Sequence, residues 1–81
     1  MNVGLLWHDN GAEDLAAKVA RAASRYRARF GEQPNVCYVH PAALPNGDKK
    51  IGAIQVRSSP RILRHHLWLG RETGEAATTG L

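Results

Sequence analysis

The sequence predicts a small α+β domain with two layers, in which one amphipathic helix packs on a four-stranded mixed sheet in the order β-α-β-β-β. Three observations predict this class. The length of 81 residues allows only one domain. One stretch has the apolar spacing of a helix, and four short stretches have the composition of strands. We assign residues 1–70 to the domain and residues 71–81, which lack apolar periodicity, to a disordered tail.

The first two elements are a strand and the helix. Residues 2–8 alternate between two faces, as in a strand. The helix is predicted over residues 11–30, with Asn10 and Glu13 forming a capping box at its start and Gly31 ending it. Its apolar residues recur every three or four positions, at Leu15, Val19, Ala22, Tyr26 and Phe30.

Three further strands follow the helix. They are predicted over residues 35–40, over residues 51–57 and around residues 67–69. A short helical turn is expected at Pro41, and the sequence Pro45-Asn-Gly-Asp48 predicts a tight turn. We expect the first two strands to be parallel neighbours joined through the helix, and the third strand to return antiparallel to the second.

One helix covers only one face of a sheet, so the other face is expected to be exposed in a monomer. Apolar residues are predicted on that uncovered face, at Leu6, Cys37, Val39 and Trp68. A domain of this size is also marginally stable by itself. We therefore expect a homo-oligomer, most simply a two-fold dimer.

The cysteine content bears on the compartment and on one possible chemistry. Cys37 is the sole cysteine, so no intrachain disulfide can form, and a reducing, cytoplasmic setting is expected. No signal peptide or membrane span is predicted. Cys37 lies between apolar neighbours, which favours a core residue over a thiol nucleophile acting with His8 or His40.

The basic residues are unevenly distributed along the chain. Six of them, and no acidic residue, lie between positions 49 and 71. Such a segment indicates an anionic partner, with a solubility role as the alternative. Trp68 could add base stacking to these charges. The candidate site for weak, sequence-nonspecific nucleic-acid binding is therefore Lys49, Lys50, Arg57, Arg61, Arg64 and Trp68.

Two of the histidines suggest a metal site as a more remote alternative. His8 and His40 each end a strand of the predicted parallel pair, so both would lie at one edge of the sheet with Asp9 close by. Two histidines and a carboxylate can hold a metal ion. We favour ordinary strand-end residues over a metal-dependent enzyme, and we expect no cofactor.

A resemblance is carried by two stretches, YRARFGEQPNVCYVHP at residues 26–41 and PRILRHHLWLG at residues 60–70. Together they resemble a group of short bacterial proteins of phage-derived or mobile regions that has no assigned activity. The resemblance implies a stand-alone bacterial domain, and it transfers no functional residue. From the sequence we expect a non-enzymatic, self-associating interaction module, with nucleic-acid binding as the alternative.

Overall fold

A computed structural model describes residues 4–72, in which one helix packs on a five-stranded mixed sheet. The elements are β1 (Leu5–His8), α1 (Leu15–Phe30), β2 (Val36–Val39), a 3₁₀ turn (Pro41–Ala43), β3 (Lys49–Ile51), β4 (Ile54–Ser58) and β5 (His66–Gly70). The α+β class is confirmed, with five strands instead of four. Most of the predicted tail lies outside the described residues.

The helix begins four residues later than the sequence predicts. Asp14 is its N-cap and accepts a hydrogen bond from the Ala17 N–H (2.9 Å). The capping box at Asn10 is wrong, because the Gly11 N–H donates to the Asp9 carboxylate (3.0 Å) and holds this segment in a turn. The predicted end is confirmed, since Gly31 adopts a left-handed conformation at φ 77°.

The sheet order differs from the prediction. It is β1-β5-β2-β4-β3, so β5 lies between β1 and β2 and pairs antiparallel with both. The first two strands are thus parallel in direction but are not neighbours. β4 runs parallel to β2, and the predicted antiparallel return is wrong.

The predicted third strand is a hairpin of two strands. β3 and β4 pair antiparallel and are closed by Ile51 opposite Ile54. Gly52 takes φ 61° in the two-residue turn between them, a conformation that glycine adopts without strain. This glycine divides an otherwise continuous extended segment.

The core lies between α1 and one face of the sheet. Its buried residues are Val19, Ala22, Ala23, Tyr26, Cys37, Val39, Leu44, Ile54, Val56, Leu67 and Leu69. The helix stripe is therefore confirmed. The face predicted for Cys37 and Val39 is wrong: both pair with core-facing leucines of β5 and face the helix. No helix within residues 4–72 is long and apolar enough to cross a membrane.

Candidate functional site

The sheet surface opposite α1 is called the open face here. Because side chains alternate along a strand, it carries the residues that lie between the core-facing positions. They are Leu6, His8, Val36, Tyr38, Lys50, Gln55, Arg57, His66, Trp68 and Gly70. Across its centre, Leu6, Trp68, Tyr38 and Arg57 form one cross-strand row on four adjacent strands. This row is aromatic and cationic, with one exposed leucine.

The Trp68 side chain lies along the sheet and does not stand away from it. Two glycines make this possible. A Cβ added at Gly70 would lie 2.5 Å from Cη2 of Trp68, and one added at Gly4 would also collide with the indole. The ring therefore covers the backbone of two neighbouring strand positions. This fixes its orientation on the open face, where it remains only partly buried.

Tyr38 is held beside Trp68 by a polar cluster at the end of the described chain. The two rings lie 6.0 Å apart and are tilted by 46°. The Tyr38 hydroxyl donates to the Glu72 carboxylate (2.6 Å), and this hydrogen bond raises the pKa of Tyr38. Glu72 is fixed in turn by Asn35, whose side-chain amide bonds its backbone N–H and C=O. Glu72 also lies 3.7 Å from Arg57.

A shallow depression of about 390 Å³ adjoins the two rings. It is lined by Tyr38, Ser59, Arg61, Ile62 and Trp68. Its volume lies within the usual range for small-molecule sites of about 300–1,000 Å³. Arg61 is exposed at its side and makes no ion pair within residues 4–72. The depression thus offers aromatic surface next to an available cation.

The structure divides the basic residues predicted as one site. Lys50, Arg57 and Arg61 accompany Trp68 on or beside the open face. Lys49 is exposed but pairs with core-facing Val56, so its side chain leaves from the opposite side of the sheet. Arg64 lines a separate hollow with His40, Ala42, Ala43 and His65, and Arg71 lies beside Glu32.

Of the residues predicted for a metal site, Asp9 and His40 line one small hollow of about 80 Å³ on the helix side, whereas His8 lies on the open face. The His8 ring packs against His66 at 4.8 Å, whereas Asp9, the next residue, lies on the other side of the strand beside Arg21. His40 accepts a hydrogen bond from the Ala42 N–H through Nδ1 (3.0 Å), which caps the 3₁₀ turn. Residues 4–72 contain no group of three or more His, Cys, Asp or Glu side chains placed to hold a metal ion.

The Asp9 carboxylate interacts with residues at the start of the helix. The Gly11 N–H, together with the cations Lys18 and Arg21, lowers the pKa of the Asp9 carboxyl. The Lys18 ammonium donates to the Asp9 backbone carbonyl (3.2 Å). Asp9 therefore joins the strand end to the helix, which accounts for its position without a ligand.

Cys37 is fully buried in the core. Burial raises the pKa of its thiol to about 12. At neutral pH the sulfur is protonated and shielded from solvent, whereas nucleophilic chemistry requires an accessible thiolate. The prediction of a core cysteine is confirmed.

Four residues of this site were not predicted from the sequence: Gly4, Tyr38, Gly70 and Glu72. Because side chains alternate along a strand, the predicted outward placement of Cys37 and Val39 puts Tyr38 on the helix side, and Glu72 falls in the predicted tail. No family model, curated protein or solved structure matches this chain. The function therefore has to be inferred from the residues of the site.

Proposed function

We propose that the open face binds single-stranded nucleic acid without sequence preference. The observation that carries the proposal is the indole of Trp68, which lies flat over Gly4 and Gly70 beside a depression. Nonspecific single-strand binding combines aromatic rings, on which bases stack, with cations that follow the phosphate backbone. A ring already fixed along the sheet loses little conformational entropy when a base stacks on it.

The cations of the open face lie on one side of this ring, at distances suited to a nucleotide chain and not to one phosphate. Arg57 lies two strands away from Trp68 in the same cross-strand row, and Lys50 lies on the edge strand beyond it. Adjacent strands are about 4.8 Å apart, so these charges extend over roughly 10–15 Å from the ring. Arg61 is nearer, at the side of the depression.

Single strands suit this surface better than duplex. The bases of a duplex are stacked on one another and closed to a flat side chain, and duplex readout uses an element inserted into a groove. Trp68 lies on a sheet face and does not project from it. We therefore expect weaker binding to a duplex of the same length.

The open face is less apolar than the sequence predicts, which makes self-association through this surface less favourable. With Cys37 and Val39 turned toward the helix, Leu6, at 60% exposure, is the large, strongly exposed apolar residue of the open face. Stable protein interfaces have a more extensive apolar centre. Nucleic acid is thus the better-supported occupant of the open face.

The proposal predicts that nucleic-acid affinity becomes less sensitive to salt when cations are removed from the open face, and changes little when they are removed from elsewhere. Each single-strand phosphate contact contributes about 0.7 to the slope of log K against log salt. Lys50→Ala/Arg61→Ala should therefore flatten the slope by about 1.4. Lys49→Ala/Arg27→Ala removes two exposed cations from elsewhere and serves as the matched control.

Fluorescence anisotropy with a labelled oligothymidylate, titrated at several salt concentrations, measures both slopes. We expect wild-type dissociation constants of about 10⁻⁴ to 10⁻⁶ M, weakening toward physiological salt. Equal slopes for the two double variants, or no wild-type binding at low salt, would contradict the proposal.

A further inference from the structure

Two histidines face each other across neighbouring strands at one end of the open face. His8 is the last residue of β1, and its partner in the register is His66, the first residue of β5. In the next pair along, the Asp9 N–H donates to the His65 carbonyl (2.8 Å). Hydrogen-bonded and non-hydrogen-bonded pairs alternate along an antiparallel ladder. His8 and His66 are therefore a non-hydrogen-bonded pair, the kind whose side chains come closest, with Cα atoms about 4.5 Å apart.

The His66 ring is held by a backbone carbonyl. Its Nδ1 atom lies 2.9 Å from the Arg64 carbonyl oxygen. A carbonyl oxygen can only accept, so Nδ1 carries the proton, and in the neutral ring the lone pair is on Nε2. Metal-binding histidines usually donate their second ring N–H to a carbonyl or a carboxylate, which fixes the tautomer and the ring orientation. This contact thus leaves Nε2 as the ligand atom of His66.

The turn before β5 produces this contact. The His66 N–H donates to the Leu63 carbonyl (3.1 Å), which closes a turn with Arg64 and His65 at its centre. His65 has φ 65°, a left-handed conformation that is uncommon for residues other than glycine. Backbone strain of this kind is found most often at binding and catalytic sites, where the surrounding structure holds it. The strained turn brings the Arg64 carbonyl and the His66 ring together.

The separation of the two rings fits a shared metal ion. The ring centres of His8 and His66 lie 4.8 Å apart, and the ring planes are tilted by 53°. A metal ion at about 2.0–2.1 Å from an imidazole nitrogen lies about 3.2 Å from the ring centre. Two rings bound to one ion at about 90–109°, the angles of square-planar and tetrahedral sites, have centres about 4.5–5.2 Å apart. The separation of this pair lies within that range.

The chemistry of the pair selects the class of ion. Neutral imidazole binds zinc, copper and nickel, whereas magnesium and calcium prefer oxygen ligands. Within residues 4–72 no third His, Cys, Asp or Glu side chain joins the pair in a metal-binding group. The remaining coordination positions would be taken by water, to which the exposed His8 gives access.

We infer that His8 and His66 form a two-histidine site for a divalent transition-metal ion such as Ni²⁺ or Zn²⁺. This set differs from the one predicted from the sequence, in which Asp9 and His40 accompany His8. His8 and His66 are far apart in the chain and meet only through the pairing of β1 with β5. The inference is independent of the proposed function, because neither histidine is among the aromatic and cationic residues to which nucleic-acid binding is assigned.

Isothermal titration calorimetry of the untagged protein with Ni²⁺, in a buffer that does not bind metals, tests the site. Wild type should bind one Ni²⁺ ion per chain at its strongest site, and Mg²⁺ should not bind. His8→Asn, at an exposed position, should weaken this binding at least about tenfold, since even the loss of a hydrogen bond to a metal ligand costs about 10–100-fold.

His65→Asn is the matched control for that titration. It removes a histidine but keeps a residue that tolerates the left-handed conformation, so it should bind Ni²⁺ like wild type. A wild type that binds Ni²⁺ no better than Mg²⁺, or a His65→Asn variant as weak as His8→Asn, would overturn the inference. No oligonucleotide is present, so failure of the metal site and failure of nucleic-acid binding are distinguishable.

Thermal denaturation tests whether one ion joins the two strands. The histidines are brought together by strand pairing, so a shared ion binds only the folded chain, and Ni²⁺ should raise the Tm of wild type and of His65→Asn. It should raise the Tm of His8→Asn and of His66→Asn much less. Each Tm is compared with that of the same variant in chelator, which removes differences in basal stability. Equal stabilisation of wild type and His8→Asn would mean that no ion is shared, and would overturn the inference.

Discussion

Trp68→Ala is expected to weaken the binding of a single-stranded oligonucleotide by about fivefold to 150-fold at constant salt. Stacking of one base on an aromatic side chain contributes about 1–3 kcal/mol, and about 1.4 kcal/mol corresponds to a tenfold change in Kd. The loss should appear in the salt-independent part of the affinity, because no charge is removed. Anisotropy titrations of the variant and wild type at two salt concentrations separate these contributions.

Two further substitutions at Trp68 distinguish base stacking on an aromatic ring from nonspecific apolar contact with the bases. Trp68→Phe keeps an aromatic ring at this position of the open face and should retain most of the affinity. Trp68→Leu keeps apolar volume without a π face and should bind like the alanine variant. If leucine binds as well as phenylalanine while both variants remain folded, the ring is not a stacking platform.

Val19→Asp should unfold the domain. Val19 is completely buried between α1 and the sheet. An unpaired charge in such a position costs about 3–5 kcal/mol or more. A core of this size supplies only about 3–5 kcal/mol of net stability. Circular dichroism during thermal denaturation should therefore show no cooperative transition for this variant.

The adjacent helix position provides the control for that result. Ala20 is exposed, so Ala20→Asp introduces the same carboxylate without burying it. Its cost should be about 0.5 kcal/mol, the difference in helix propensity between the two residues. If Val19→Asp melts at the same temperature as Ala20→Asp, the helix must pack with another face toward the sheet.

Local sequence signals predict the helix and its packing well. The buried stripe through Val19, Ala22 and Tyr26 follows directly from spacing, and Gly31 marks the end because few other residues adopt its conformation. The start is less certain from sequence because Asp9, Asn10 and Asp14 are all competent caps. Tertiary contacts of Asp9 with Arg21 and Lys18 determine which of them is used.

The order of the strands depends on contacts that are distant in sequence. β5 enters between β1 and β2, and no local pattern distinguishes this from a place at the edge. The consequence for the site is direct. A strand such as VCYV is apolar on both faces, so only its pairing with Leu67 and Leu69 determines that Cys37 and Val39 face the helix.

The candidate site was predicted in part. Trp68 and three of the basic residues could be named from composition, because clustered cations with an aromatic residue indicate an anionic partner. Tyr38 was missed through the strand-face error. The role of Gly4 and Gly70 could not be predicted, because it exists only once Trp68 lies across both of them.

Tryptophan fluorescence offers the most direct measurement of the central claim that bases stack on Trp68. The chain has two tryptophans, so Trp7→Phe leaves Trp68 as the sole reporter, and Trp68→Phe leaves Trp7, on the helix side of the sheet. Titration with oligothymidylate should strongly quench Trp68 in the first variant and leave Trp7 nearly unchanged in the second. Quenching confined to Trp7, or of equal extent in both variants, would contradict the assignment of the open face.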